Sequence, residues 1–368
     1  MVADGDFTYK QSGVDVGAGN EAVRLLKERL RSVHHPLVLE GIGGFAGLLR
    51  VPPVSDAVLV AGTDGAGTKV MLAREMGVYG TIGIDAVAMS VNDVSACGAT
   101  PLFFLDYLVV GKVDPQTVAD IVGGVDEGCL RAGCALLGGE TAEHPGHFRD
   151  DDAFDLAGFA VGIASRTELW GPARVAPGDA LLGIASNGLH SNGFSLVRAV
   201  LAERHIALTD PFPAGNAAQA DGLAGATAAA PSSATVGEVL LTPTTIYSPV
   251  LTELGRACTV HAAAHITGGG FPDNVGRILP DGAAAVLDLA AWQPQPVFAW
   301  LHGLGVAAGE MLDTFNCGLG MVVALPAADV PQALATVATA GLQATVVGRV
   351  VAAQAGAAAV RYEGALAL

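Results

Sequence analysis

Twelve residues, Val58 to Lys69 (VLVAGTDGAGTK), constrain this chain more than any others. An apolar run from Val58 to Ala61 breaks into a loop holding three glycines, an aspartate and a lysine, and a helical pattern follows from Val70 to Met76. A buried strand, a Gly-rich loop and a helix in that order predict an α/β arrangement. Glycines let backbone N–H groups approach an anion closely, a lysine neutralises charge, and an aspartate suits Mg²⁺. The contacts expected from this loop are Asp64, Gly65, Gly67, Thr68 and Lys69. The loop is not a Walker A motif, because Gly-Lys-Ser/Thr is absent and an acid sits inside the turn. An ordinary tight turn is the alternative for the loop taken alone.

The same alternation continues along the chain. Strands are predicted over 101–110, 134–137 and 155–163, with helices over 85–96 and 116–132. A turn-rich passage at 170–179 separates these from strands over 180–185, 261–266 and 320–325 and helices over 193–203, 272–279 and 295–304. The expectation is α/β or α+β with mixed sheets in two domains, residues 1–168 and 169–350, followed by a tail over 351–368. A length of 368 residues suits two such cores. Residues 211–234 are rich in Ala, Gly, Pro and Ser without a period, which predicts a surface loop.

Composition narrows the partners. A net charge of −17 argues against nucleic acid and anionic membrane surfaces, and leaves a small anion possible where a metal or local bases offset the field. No apolar run approaches the roughly 20 residues that span a bilayer. The N-terminal MVADGDFTYK has no signal-peptide pattern, and five cysteines without CxxC spacing read as reduced thiols, so a cytoplasmic location is expected. Lysine occurs only at 10, 27, 69 and 112, which singles out Lys10 and Lys69 beside Gly-rich, Asp-bearing segments.

Further polar residues stand at positions where chemistry is plausible. Asp85, Asn92 and Asp93 fall on one otherwise apolar predicted helix, with Asp85 and Asn92 nearly on the same face. Mg²⁺ would satisfy them; an N-cap at Asp85 and solvated Asn92 and Asp93 are the alternative. Glu140 and Thr141 follow the glycines of LLGGETAEHPG and are expected on the same rim as Asp64, making Asp64, Asp93 and Glu140 the candidate metal ligands, with an exposed loop glutamate as the plain alternative. Asp106, inside LFFLDYLVV, needs a hydrogen-bonded partner and reads as structural or supporting. In SNGLHSNG, Ser191, Asn192 and Gly193 open a helix whose free N–H groups can face an anion, and His190 is either a general acid/base or a structural histidine. Thr267, Gly268, Gly269 and Gly270 in HITGGGF form a second turn of that kind, and Asn316 in TFNCGLG is a polar residue just before a strand.

Taken in order, YKQSGVDVGAGN, GIGGFAG, GTDGAGTK, TIGIDAVAMSVNDV, PLFFLDYLVVGK, GGETAEHPG, DLAGFAVG, SNGLHSNGFSLVR, LLTPTTIY, HITGGGF and EMLDTFNCGLGM resemble the phosphoribosylformylglycinamidine cyclo-ligases (aminoimidazole ribonucleotide synthetases) of purine biosynthesis. The segments run from Tyr9 to Met321. The resemblance implies an ATP- and Mg²⁺-dependent ring closure of formylglycinamidine ribonucleotide. The formyl oxygen takes the γ-phosphoryl group, an internal nitrogen attacks the activated carbon, and phosphate leaves. It implies two α/β domains and a homodimer whose N-terminal sheets join in a barrel. It assigns Asp64, Asp93 and Glu140, supported by Asp85 and Asn92, to Mg²⁺ and the ATP phosphates. Lys69 would stabilise the transferring group, so that Lys69, Asp93 and His190 are the catalytic candidates. Gly41, Gly43 and Gly44 would cover the site, Lys10 would close over the nucleotide, and the loops ending at Gly193 and Gly270 would hold the substrate's ribose phosphate or the transferred phosphate, with Asn316 among the substrate contacts. The chain departs from its relatives at Thr245, where a basic residue is usual. Thiamine-monophosphate kinase, which shares this superfamily, and a non-catalytic nucleotide-binding scaffold are the competing readings.

Overall fold

The computed structural model describes residues 15–40, 46–213 and 234–368. Its first half is a four-stranded sheet covered on one face by helices. Helix α1 (Val16–Arg29) precedes a short antiparallel pair, β1 (Val38–Glu40) and β2 (Leu48–Leu49). Then come β3 (Ala57–Gly65), α2 (Lys69–Met76), α3 (Ile82–Ala96), β4 (Thr100–Val110), α4 (Pro115–Ala132), β5 (Ala135–Glu143) and β6 (Phe154–Ser165). The sheet runs in the order β3-β6-β4-β5, with β4 and β5 parallel and the other pairs antiparallel. Local chemistry sets α4, the crossover between the parallel strands. Asp114 accepts the Thr117 N–H at 2.8 Å, Pro115 occupies the first turn, and Gly133 ends the helix with φ 72°. Helix α3 is buried along nearly all its length because it lies between this sheet and the second half of the chain.

The second half contains β7 (Asp179–Ala185), α5 (Phe194–Arg204), α6 (Val236–Leu240), α7 (Ser248–Ala257), β8 (Ala262–His265), α8 (Gly270–Arg277) and β9 (Ala283–Asp288). These are followed by α9 (Pro296–Gly303), α10 (Ala308–Thr314), β10 (Leu319–Pro326), α11 (Val330–Thr339), β11 (Ala344–Ala352) and β12 (Val360–Glu363). Six strands pair in the order β12-β9-β11-β7-β10-β8, all antiparallel except β12 with β9. The chain is thus two mixed α/β units. Among the described residues no helix is long and apolar enough to cross a membrane.

Two expectations change here. Residues 351–368 are not a free tail: β12 hydrogen-bonds along β9, and Leu366 and Leu368 pack on the core. Strand β9 escapes a reading by period, because its run AAAVLD is buried on both faces and shows no alternation. Glu140 is not in a loop beyond a strand either. Strand β5 continues through it, pairing Gly139 with Asp106 and Glu140 with Tyr107 of β4.

Candidate functional site

Three Gly-rich loops meet where the two halves join. Ser191 Oγ donates to the Ala66 carbonyl at 2.8 Å, and Thr68 Oγ1 lies 3.2 Å from Ser195 Oγ, which ties the loop after β3 to the start of α5. Asn192 Oδ1 accepts the Gly268 N–H at 3.0 Å, which ties the start of α5 to the loop before α8. The helices α2, α5 and α8 begin at these loops, and none has a side chain capping its first N–H groups. Uncapped helix starts present free N–H donors and the positive end of the helix dipole, a setting suited to phosphate. The third loop is held stiffly, since Asn274 Nδ2 donates to the carbonyls of Thr267, Gly268 and Gly270. Gly270 has φ 55°, and a Cβ there would lie 1.9 Å from the Leu312 carbonyl oxygen, so only glycine fits.

Two of the three expected carboxylates sit beside this junction. Asp64 ends β3 on the face that carries Gly62 against α3. Its carboxyl is pushed up by burial, opposed by the Gly65 N–H it accepts and reinforced by the nearby charge of Asp93. Asp93 projects from α3 with its side chain 52% exposed, and its Oδ1 lies 2.8 Å from His265 Nδ1. The third carboxylate goes elsewhere. Side chains alternate along a strand, and Gly139 shares the inner face with Asp106, whose Oδ1 a Cβ at 139 would strike at 2.1 Å. Glu140, one residue on, therefore stands on the outer face with Tyr107, away from Asp64 and Asp93, and Thr141 follows it along the strand. Among the described residues no group of three or more His, Cys, Asp or Glu is preassembled around a metal position.

Asp85, Asn92 and Lys69 are placed differently from their expected roles. Asp85 and Asn92 do share a face of α3, but that face grips the segment before α7. Asp85 Oδ1 accepts Thr244 N–H at 2.8 Å and Thr244 Oγ1–H at 2.6 Å; Asn92 accepts Tyr247 N–H at 2.7 Å and donates to Thr245 O at 2.9 Å. Lys69 is fully buried over the Phe194 ring. Its Nζ lies 2.8 Å from Asp85 Oδ2 and donates to the carbonyls of His190 at 2.9 Å and Thr242 at 2.8 Å. Burial pushes the ammonium down and the Asp85 carboxyl up, each held back by the other's charge. With three oxygens already around it, this ammonium joins the two halves.

His190 and Asn316 are also enclosed. The His190 ring is 1% exposed, neither ring nitrogen has a hydrogen-bond partner among the described residues, and burial holds it neutral, well below the usual histidine range, helped by neighbouring His265 and Lys69. Such a ring is poorly placed to exchange protons with a ligand. Asn316 bridges backbone, donating to Gly188 O and accepting Gly318 N–H and Ser186 Oγ–H. Lys10, Gly41, Gly43 and Gly44 lie outside the described residues. His265, the partner of Asp93, carries one signal in the sequence, a histidine at the end of a strand just ahead of the Thr267–Gly270 turn.

Asp106 gives a stability prediction. Burial raises its carboxyl to about 7, with the charge of Glu140 adding to the effect. The protonated form is thus favoured by folding, so this group's contribution is complete below the unfolded value near 4 and is lost as pH rises through 7. Stability should fall by up to about 1.4 kcal/mol per pH unit across that window. Asp106→Asn should remove this slope in denaturation curves between pH 4 and 8; an unchanged slope would assign it to other groups.

Sequence families decide the lineage. Residues 43–164 match the AIR synthase-related N-terminal domain, and residues 176–361 match the AIR synthase-related C-terminal domain. The chain belongs to the AIR synthase-related family. Solved structures share the fold of this AIR synthase-related protein at low identity. Thiamine-monophosphate kinase from Stenotrophomonas maltophilia superposes with a TM-score of 0.65 at 18% identity, covering 94% of this chain and 97% of that one. The hydrogenase maturation protein HypE in complex with ATP gives 0.63 at 20%, covering 93% and 91%. T. maritima PurL complexed with AMPPCP gives 0.52 at 14%, covering 95% of this chain and 46% of that one.

Proposed function

We propose that this AIR synthase-related protein is a phosphoribosylformylglycinamidine cyclo-ligase, closing formylglycinamidine ribonucleotide to aminoimidazole ribonucleotide with conversion of ATP to ADP and phosphate. The observation that carries the reading is the meeting of the 64–68, 190–195 and 265–270 loops, joined by the Ser191–Ala66 and Asn192–Gly268 hydrogen bonds, beside Asp64 and Asp93. A reaction that holds two phosphate-bearing substrates needs more than one anion cradle, and the uncapped starts of α5 and α8 supply them. The segments HSNGFSLVR and TFNCGLG favour the cyclo-ligase over the kinase reading.

The donor set fits Mg²⁺. Asp64 and Asp93 offer oxygen ligands, neither has a Lys or Arg partner among the described residues, and their mutual repulsion is relieved by a cation. Mg²⁺ commonly takes one or two carboxylates and completes its shell with water and phosphate oxygens, so a preassembled three-residue cluster is not required. When bound, it would neutralise charge on the triphosphate during phosphoryl transfer. The chain's own contribution is positioning: Asp64 and Asp93 orient the nucleotide's phosphates from the first half, and the backbone N–H groups opening α5 and α8 hold a phosphate from the second. Phosphorylation turns the formyl oxygen into a leaving group.

The homodimer is supported by the outer face of the first sheet, where Leu59, Tyr107 and Phe159 are 63%, 46% and 40% exposed on three adjacent strands. An apolar patch of that kind on a sheet face is suited to a second copy. Glu140 stands on the same face, so in the dimer it would border the partner copy. Phe159→Asp should convert the dimer to monomer in light scattering; a dimer that survives the substitution would remove this face from the interface.

The function is tested by supplying purified protein with formylglycinamidine ribonucleotide, ATP and Mg²⁺ while following ADP and the aminoimidazole product together. Equal yields of both support the cyclo-ligase. ADP formed only when thiamine monophosphate is supplied would replace it with the kinase reading. ATP bound without turnover of either substrate would favour a scaffold.

A further inference from the structure

The side chains behind Asp93 form a directed chain. Asn92 has its amide orientation set by backbone, its oxygen accepting Tyr247 N–H and its nitrogen donating to Thr245 O. The remaining Nδ2 hydrogen faces His265 Nε2 at 3.4 Å, so Nε2 acts as the acceptor. The imidazole proton is thereby assigned to Nδ1, which donates to Asp93 Oδ1 at 2.8 Å. His265 itself is almost wholly buried, with a side chain 2% exposed, whereas Asp93 Oδ2 has no hydrogen-bond partner among the described residues. One oxygen of Asp93 is fixed and the other is left on the exposed side.

We propose that His265 is a positioning residue, holding Asp93 Oδ1 so that Oδ2 is aimed at a divalent cation beside Asp64. The inference rests on Asp93 being a metal ligand, as proposed above. It also gives the contact a second consequence. Asp93 belongs to α3 of the first half, and His265 ends β8 two residues before Thr267 in the second, so one hydrogen bond connects the cation's carboxylate to the stiff Gly268–Gly270 loop. Binding at one position then constrains the other without any movement of the fold. A hydrogen-bonded partner behind a ligand of this kind typically contributes 10–100-fold in metal affinity.

The test is Mn²⁺ binding to the full chain in the presence of ATP, read by the enhancement of water-proton relaxation that protein-bound Mn²⁺ gives over Mn²⁺–ATP alone. Asp93→Asn should abolish binding. H265A and H265Q should weaken it by at least about tenfold. H265N should stay near the wild-type value, because an asparagine amide can place an N–H where Nδ1–H stood, whereas the glutamine amide reaches the Nε2 position. A merely structural histidine would not separate Asn from Gln in this way. Wild-type binding lost in Asp93→Asn but intact in H265A and H265Q would overturn the role of His265 while leaving the metal reading in place. A wild-type chain that binds no Mn²⁺ with ATP, or an Asp93→Asn protein that binds normally, would overturn both. Should H265A fail to fold, the contrast between H265N and H265Q decides alone.

Discussion

Asp93→Asn is expected to remove turnover while leaving the protein folded. The reduction in kcat should be on the order of 10²–10³-fold or more, the scale seen when a preorganised electrostatic group is taken from a reacting phosphoryl or acyl centre. Folding should survive because the side chain is half exposed and asparagine retains an oxygen to accept from His265. Removing the charge also ends its repulsion of Asp64, whose carboxyl the Asp93 charge helps to push up. The melting temperature should therefore be unchanged or slightly higher. Parallel measurement of ADP release and thermal unfolding checks both halves of the expectation; near-normal turnover would take Asp93 out of the site.

The second large effect is on stability. Lys69→Met leaves Asp85 charged and buried, and it strips a donor from the carbonyls of His190 and Thr242. Breaking a fully buried pair by removing one partner costs about 3–5 kcal/mol. In a protein of this size that lowers the melting temperature by roughly 5 °C. Adding Asp85→Asn should recover part of the loss, because the orphaned charge is gone while an acceptor for Thr244 remains. A lysine that served only to neutralise a transferred phosphate would behave oppositely, losing activity at unchanged stability. Denaturant unfolding of the single and double variants separates the two roles.

The contrast between Lys69 and Asp64 explains what sequence could reveal of this site. Both lie in one Gly-rich loop and carry the charges that phosphate and Mg²⁺ call for, so residue chemistry alone places them together. Asp64 does end a strand at the junction, next to the uncapped start of α2. Lys69 is the first residue of that helix, and the direction of its side chain depends on Asp85, His190 and Thr242, up to 173 residues away. A similar limit applies to Asp85 and Asn92. Their seven-residue spacing correctly put them on one face of α3, but only the packed structure reveals that the face meets Thr244–Tyr247.

Sequence by itself determined the alternation of strands, Gly-rich loops and helices over the first half and part of the second, and the shared face of Asp85 and Asn92. These are local properties, governed by backbone periods of 2 and 3.6 residues and by glycine at loop ends. Tertiary structure alone decided that Glu140 leaves the Asp64–Asp93 side, because strand register at Asp106 and Gly139 dictates the face on which every later residue of β5 falls. It alone paired Asp93 with His265, 172 residues apart, and buried the His190 ring. Such contacts depend on how two separately patterned halves dock, and neither half's pattern encodes which side chain the other will present.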